Sequence, residues 1–274
     1  MDTTTQPCKL NVGDGVNLSV WTNTVDSPKA AVILVHGLFE HAGRYDYVVS
    51  RLNDFGYSVY RFDNRGHGRS GRERGYIADY QIFIDDAQKI VETAKQKNSK
   101  LPLFMLGHSM GGFITAFYGV KYPDRLAGQI LCGAAVTVQP IFKDMASFDY
   151  NAKPLAPIPN KLSDTICRDP QVVRDYKEDP LVLKEVTNKL IGEVYIKGAR
   201  LLMESMNTYK YPCLILHGGG DQIVTPDSSK HFYDHISSTD KQLKIYEGLY
   251  HEILNEPEKD TVIEDIRLWL EARI

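Results

Sequence analysis

One stretch constrains this chain more than any other. An apolar run, Leu103-Phe104-Met105-Leu106, leads into Gly107-His108-Ser109-Met110-Gly111, and a helical pattern opens at Gly112. This is G-x-S-x-G set between a strand and a helix, the context in which a serine is presented on a sharp turn. Such a turn needs small neighbours, and Gly107 and Gly111 remove the side chains that would collide. The helix N-terminus behind Ser109 places the positive end of a dipole where negative charge would develop.

The rest of the chain follows the same strand-then-helix rhythm. Short apolar runs recur at 31–35, 57–62, 103–106, 128–131, 213–216 and 243–246. They are apolar on both faces, as a parallel sheet covered by helices requires. Tyr80, Phe83, Ile84, Ala87, Ile90, Val91 and Ala94 recur at three and four residues, one face of a helix. Residues 260–272 repeat the pattern with Val262, Ile263, Ile266, Trp269 and Leu270. The spacing predicts an α/β fold, a doubly wound, mostly parallel sheet with helices on both faces. Gly13-Asp14-Gly15 between two alternating runs predicts an N-terminal hairpin. The stretch 139–207 breaks the rhythm: it holds Pro140, Pro154, Pro157, Pro159, Pro170 and Pro180 and no clear buried strand. Charged helical patches are expected at 170–177 and 180–189. An insertion of this length is too long for a plain loop. It is expected to form a helical cap over the C-terminal edge of the sheet, with residues 1–138 and 208–274 as the core.

Composition narrows the function classes. Lys and Arg number 32 against 35 Asp and Glu, a net charge of −3, so the basic footprint of a nucleic-acid binder is missing. The best apolar run, 30–35, falls far short of the roughly 18 residues a membrane span needs. Residues 1–10 contain no basic start followed by an apolar block, so no secretory signal and a cytoplasmic setting are expected. Cysteines at 8, 132, 167 and 213 have no C-x-x-C spacing, which argues against a zinc ribbon or a redox motif. Cys132 and Cys213 lie in apolar runs and are expected to be buried. A disulfide involving Cys8 stays open.

A serine hydroxyl needs a base. His251 follows the last apolar run by a short loop and precedes the last helical pattern. The acid is expected between serine and histidine in the order Ser, acid, His. Cys213-Leu-Ile-Leu-His217-Gly-Gly-Gly-Asp221 supplies it: the glycines leave room for Asp221 to turn toward His251. Asp227 is the rival, better suited to capping the helix after Pro226. An oxyanion hole needs two backbone N–H groups, expected from Met110 and, after Val35-His36-Gly37, from Leu38.

These motifs, with His36-Gly-Leu-Phe-Glu-His-Ala-Gly-Arg-Tyr45, Asp63-Asn-Arg-Gly-His-Gly-Arg-Ser70 and Ile245-Tyr-Glu-Gly-Leu-Tyr-His-Glu252, resemble the monoacylglycerol lipase/lysophospholipase branch of the α/β-hydrolases, the serine aminopeptidase S33-like group. The resemblance covers about residues 13–269. It implies Ser109, Asp221 and His251 as catalytic triad, the amides of Leu38 and Met110 as oxyanion donors, and neither metal nor cofactor. It implies a small-molecule acyl ester as substrate, a monoacylglycerol or a similar single-chain ester, cleaved through an acyl-enzyme. It also implies a polar patch of Glu40, His41 and Arg44 near the mouth of the site. Glu40 and Arg44, four residues apart, could equally pair with each other. Phe148 and Tyr150 are candidate substrate contacts in the insertion. The alternatives are a feruloyl or other carboxylesterase, in which those two would line an aromatic slot, and a proline-iminopeptidase-like amide hydrolase, in which Asp144, Asp149, Glu178, Asp179 or Glu193 would hold an ammonium group. Only weak membrane-surface contact through the cap is expected, because its apolar residues are interrupted by charges and prolines. The oligomeric state is silent in the sequence.

Overall fold

The computed structural model describes residues 6–142 and 149–274. Apolar runs become strands in chain order: β1 (Cys8–Gly13), β2 (Val16–Asn23), β3 (Ala30–Val35), β4 (Tyr57–Phe62), β5 (Leu103–His108) and β6 (Gly128–Cys132), then, after the insertion, β9 (Cys213–Gly218) and β10 (Lys241–Tyr246). The insertion carries the short strands β7 (Pro157–Pro159) and β8 (Glu185–Thr187). The main sheet has eight strands in the order β1-β2-β4-β3-β5-β6-β9-β10. It is parallel from β4 to β10, with β2 antiparallel to both neighbours. The β1–β2 hairpin turns at Asp14-Gly15, both at positive φ (46° and 75°), the twist that a two-residue hairpin favours.

Side-chain alternation divides the core into two layers. Ala30, Val32 and Leu34 of β3 face α1 (Asp46–Asp54) and α8 (Lys259–Glu271), among Val48, Leu52, Val262, Ile266 and Trp269. Ala31, Ile33 and Val35 face the other side, where α2 (Gln81–Lys97), α3 (Met110–Lys121) and α7 (Pro226–His235) contribute Phe83, Ile84, Phe113, Ile114 and Phe232. The helical periodicity from Phe83 to Ala94 is the buried face of α2. All four cysteines are free; Cys132, Cys167 and Cys213 are buried and Cys8 is exposed. Among the described residues, no helix is long and apolar enough to cross a membrane.

The stretch between β6 and β9 contains α4 (Pro170–Glu178), α5 (Asn188–Ile191), a π-helical segment Gly192–Gly198, and α6 (Ala199–Ser205). It departs from the sequence expectation in one respect. The 180–189 patch is helical only from Asn188, where α5 begins; before that it holds β8, which pairs antiparallel with β7 through Ile158 and Val186. Pro157 and Pro159 cannot donate to a ladder, so the sequence hides this strand, and only a three-residue ribbon forms. Among the described residues, long-range backbone bonds tie the insertion to the core: Leu183 N–H to Phe39 O (2.8 Å), Thr187 N–H to Gly75 O (2.9 Å), and Glu252 N–H to Ile166 O (2.7 Å). Phe39 follows β3 and Glu252 follows β10, so the insertion packs at the C-terminal ends of the strands.

Among the closest contacts of the described residues is the crossing of α3 over β3. A Cβ on Gly111 would lie 2.1 Å from the Val35 carbonyl oxygen, and one on Gly107 would lie 2.2 Å from the Gly111 oxygen. These are backbone atoms that cannot step aside. We expect Gly111→Ala to cost about 3 kcal/mol or more, a fall of roughly 6–12 °C in thermal midpoint. Gly71→Ala, whose added carbon would sit at an ordinary 3.6 Å, should cost under about 1 kcal/mol. Equal midpoints for the two variants by calorimetry would refute the steric account.

Candidate active site

Ser109, Asp221 and His251 each follow the C-terminal end of a strand, β5, β9 and β10. Ser109 joins β5 to α3 with φ 54° and ψ −115°, a left-handed conformation that an L-residue adopts only under constraint. The constraint is visible: Ser109 N–H donates to Cys132 O (3.0 Å), and Ser109 O accepts from Phe113 and Ala135 N–H (both 3.1 Å). The turn aims the serine into a cavity of about 20 Å³, little more than one water, whose wall includes Leu38, Glu40, His108, Tyr195, His251 and Glu252. Tyr195, from the π-helical segment, faces the same small cavity as Ser109. A second, largely apolar cavity of about 400 Å³ adjoins it, sharing Ile141, Phe142, Leu162 and Ile223.

Asp221 and His251 meet across 30 residues of chain. His251 Nδ1 lies 2.7 Å from Asp221 Oδ2. Facing a carboxylate, Nδ1 carries the proton, and Nε2 is left as a base. Gly218 permits the meeting, because a Cβ there would lie 2.1 Å from the Tyr250 carbonyl oxygen. The other Asp221 oxygen accepts from the N–H groups of Ile223 (2.8 Å) and Val224 (3.0 Å). Burial disfavours the charged carboxylate, but the pairing with His251, which becomes cationic on taking a proton, and the hydrogen bonds from His251 and His217 outweigh it and hold Asp221 well below the usual carboxylate range. Burial would push the His251 imidazole down; the Asp221 charge and hydrogen bond win, and its pKa is raised. Asp227 lies in the first turn of α7 and pairs with Lys230 (3.0 Å), while Thr225 takes the cap position.

Leu38 follows β3 and Met110 opens α3, and neither N–H is taken up by a backbone carbonyl among the described residues. The Leu38 peptide is held from two sides. Gly37 O lies 2.8 Å from His36 Nδ1, and Gly37 N–H donates to Glu40 Oε1 (2.5 Å). Asn64 N–H in turn donates to His36 Nε2 (2.8 Å), so the 63–70 loop supports the strand end. Burial drives the His36 pKa down to about 3, so this support carries no charge at neutral pH.

Glu40 and Arg44 are found paired. Glu40 accepts from Arg44 (2.9 Å) and from Tyr45 Oη (2.7 Å). Arg44 also grips Glu252 with two bonds (2.5 and 2.7 Å) and lies 4.6 Å over the Tyr176 ring of α4. Glu40 lines the cavity; Arg44 stands behind it. His41 caps the turn at Gly43 and bonds Asp179 (2.8 Å). Tyr150 bonds Glu193 (3.3 Å) away from the cavity. Phe148 and Asp144 lie outside the described residues. Sequence reasoning missed His217, Glu252 and Tyr195. The first two stand four residues before Asp221 and one after His251, where proximity alone could have flagged them. Tyr195 carries no local signal. No group of three or more His, Cys, Asp and Glu suited to a metal occurs among the described residues.

Comparison with known proteins places this arrangement. The sequence profile described as serine aminopeptidase, S33 matches residues 26–258. The monoacylglycerol lipase of Mycolicibacterium smegmatis is 37% identical over 259 residues, covering 93% of this chain and 92% of that protein. The crystal structure of a soluble variant of Saccharomyces cerevisiae monoglyceride lipase, in complex with a substrate analogue, superposes with a TM-score of 0.90 at 26% identity, covering 100% of this chain and 97% of that one. The Paleococcus ferrophilus monoacylglycerol lipase superposes with a TM-score of 0.83 at 29% identity, covering 94% and 99%. The chain therefore belongs to the serine aminopeptidase S33 family, in the branch of the α/β-hydrolases that holds the monoacylglycerol lipases.

Proposed function

We propose that this protein is a serine esterase that cleaves monoacylglycerols, or similar single-chain acyl esters, to a fatty acid and an alcohol. The observation that carries the reading is the Asp221–His251 contact of 2.7 Å beside a serine held in a left-handed turn on the same cavity wall. Ser109 Oγ attacks the ester carbonyl while His251 Nε2 takes its proton. The Leu38 and Met110 amides receive the oxyanion. His251 returns the proton to the leaving alkoxide, releasing the alcohol and leaving Ser109 acylated. A water, deprotonated by His251, then frees the fatty acid. Asp221 keeps the His251 tautomer and stabilises the imidazolium without taking the proton. The adjoining apolar cavity suits one acyl chain, and the segment 139–207 acts as the cap that encloses it. Glu40 and Arg44 serve by holding the oxyanion loop; Tyr150 has no part in substrate contact.

An aminopeptidase reading fares worse. A substrate ammonium needs a carboxylate to spare at the cavity, yet Glu193 is taken by Lys189 (2.8 Å) and Lys197 (2.9 Å), Asp179 by His41, and neither Asp149 nor Glu178 lines the Ser109 cavity.

Three outcomes follow. Ser109→Ala should lose at least about a thousandfold in kcat on a monoacylglycerol and all labelling by a fluorophosphonate; a variant that still labels would sink the assignment. Since His251 must be neutral to act as base and its pKa is raised, kcat/KM should fall on the acid side with a midpoint above the ordinary imidazole value of about 6.5. A pH–rate profile flat down to pH 5 would contradict this. Leu162 lines both cavities, so Leu162→Trp should abolish turnover of long-chain monoacylglycerols while sparing short ones. An unchanged chain-length profile would remove the acyl chain from that cavity.

A further inference from the structure

The Asp221 carboxylate serves two imidazoles. Its Oδ2 atom is 2.7 Å from His251 Nδ1 and 3.1 Å from Nε2 of His217, at the end of β9. That same His217 nitrogen lies 2.8 Å from the Val224 carbonyl oxygen. A lone pair facing two acceptors would be repelled by both, so Nε2 carries the proton. The opposite nitrogen, Nδ1, is 2.7 Å from Ser229 Oγ on α7 and accepts the hydroxyl proton. The tautomer is thus set by the surroundings at both ends of the ring. Both residues are fully buried, and neither lines the cavity, so they touch no substrate.

We propose that His217 and Ser229 are positioning residues for the reaction: Ser229 holds His217 as the Nε2–H tautomer, and that N–H fixes the Asp221 carboxylate and draws part of its charge away from His251. The proposal rests on the reading of Asp221 as the triad acid. With Oδ1 on two amides and Oδ2 on two imidazoles, all four acceptor directions of the carboxylate are filled, and it has no freedom to rotate away from His251. The His217 donor also tempers Oδ2. An imidazolium facing the undivided charge would hold its proton more tightly and give it up to the leaving alkoxide more slowly. His217 further closes the 221–224 turn, since one N–H bridges Asp221 and Val224. The other groups facing this pair are His108, whose ring centroid is 4.6 Å from that of His251, and the carboxylates of Glu252 and Glu40 with Arg44 between them. None is altered in the variants below.

The test compares His217→Leu, His217→Gln and Ser229→Ala, with Asp221→Asn as reference, on full-length protein. His217→Leu should lower kcat about tenfold with little change in KM, and move the acid limb of the kcat/KM profile to higher pH. His217→Gln places an amide N–H where Nε2 stood and should restore most of kcat and the wild-type limb. A merely structural histidine would change thermal stability and leave the limb in place. Ser229→Ala removes a single oxygen and should show the same changes in smaller measure, about two- to fivefold in kcat. It carries the test alone if the leucine variant does not fold. Wild-type kcat and an unmoved limb in Ser229→Ala and in folded His217→Leu would overturn the proposal, as would a glutamine variant no better than leucine. In either case a loss of about 10⁴-fold in Asp221→Asn would leave the esterase reading intact. An active Asp221→Asn would bring down that reading itself.

Discussion

The close crossing of α3 over β3 is the contact on which the site depends. Val35 and Gly107 are register partners in adjacent parallel strands, and Gly111 lies against the Val35 carbonyl with no room for a methyl group. This proximity brings the loop after β3, with Leu38, beside the first turn of α3, with Met110. The two proposed oxyanion donors are neighbours because three backbone segments pack without intervening side chains. The left-handed Ser109 is the cost of that packing, and its backbone bonds to Cys132, Phe113 and Ala135 hold it there.

A second constraint is electrical. Around His251 the fold buries Asp221, Glu252 and Glu40, with Arg44 as the cation between the last two. Buried charges survive only when paired and hydrogen-bonded. Arg44 meets that condition with bonds to both carboxylates, and it also ties the β3 loop to the β10 loop. The same side chain stacks on Tyr176 of the insertion. One guanidinium thus links the oxyanion loop, the histidine loop and the segment above them, which gives Arg44 a structural role deeper than that of a surface contact to substrate.

Much of this was legible in the chain. The strands at 31–35, 57–62 and 103–106, the hairpin turn at Asp14-Gly15 and the α2 face all follow from local periodicity and turn chemistry, which depend on neighbours a few residues away. The β7–β8 ribbon was hidden because prolines mask its strand character and its pairing joins residues about thirty apart. The Arg44–Glu252 pair spans 208 residues and leaves no trace in any window. For the candidate site, the sequence proposes Ser109 from its motif and Asp221 and His251 from their order. Tyr195 carries no such signal, since a tyrosine within the insertion resembles any other until the π-helical segment sets it in the wall of the Ser109 cavity.

The sequence by itself determined the α/β class, the family and the residues able to act, because motif spacing and side-chain chemistry are properties of short segments. Tertiary structure alone decided which of those residues meet. It set Asp221 on His251 and His217 together and turned Glu40 inward to the Gly37 amide. It also left the Ser109 cavity small beside a larger apolar one. Distances of a few ångströms between residues far apart in the chain are set by packing, and packing is a property of the whole fold.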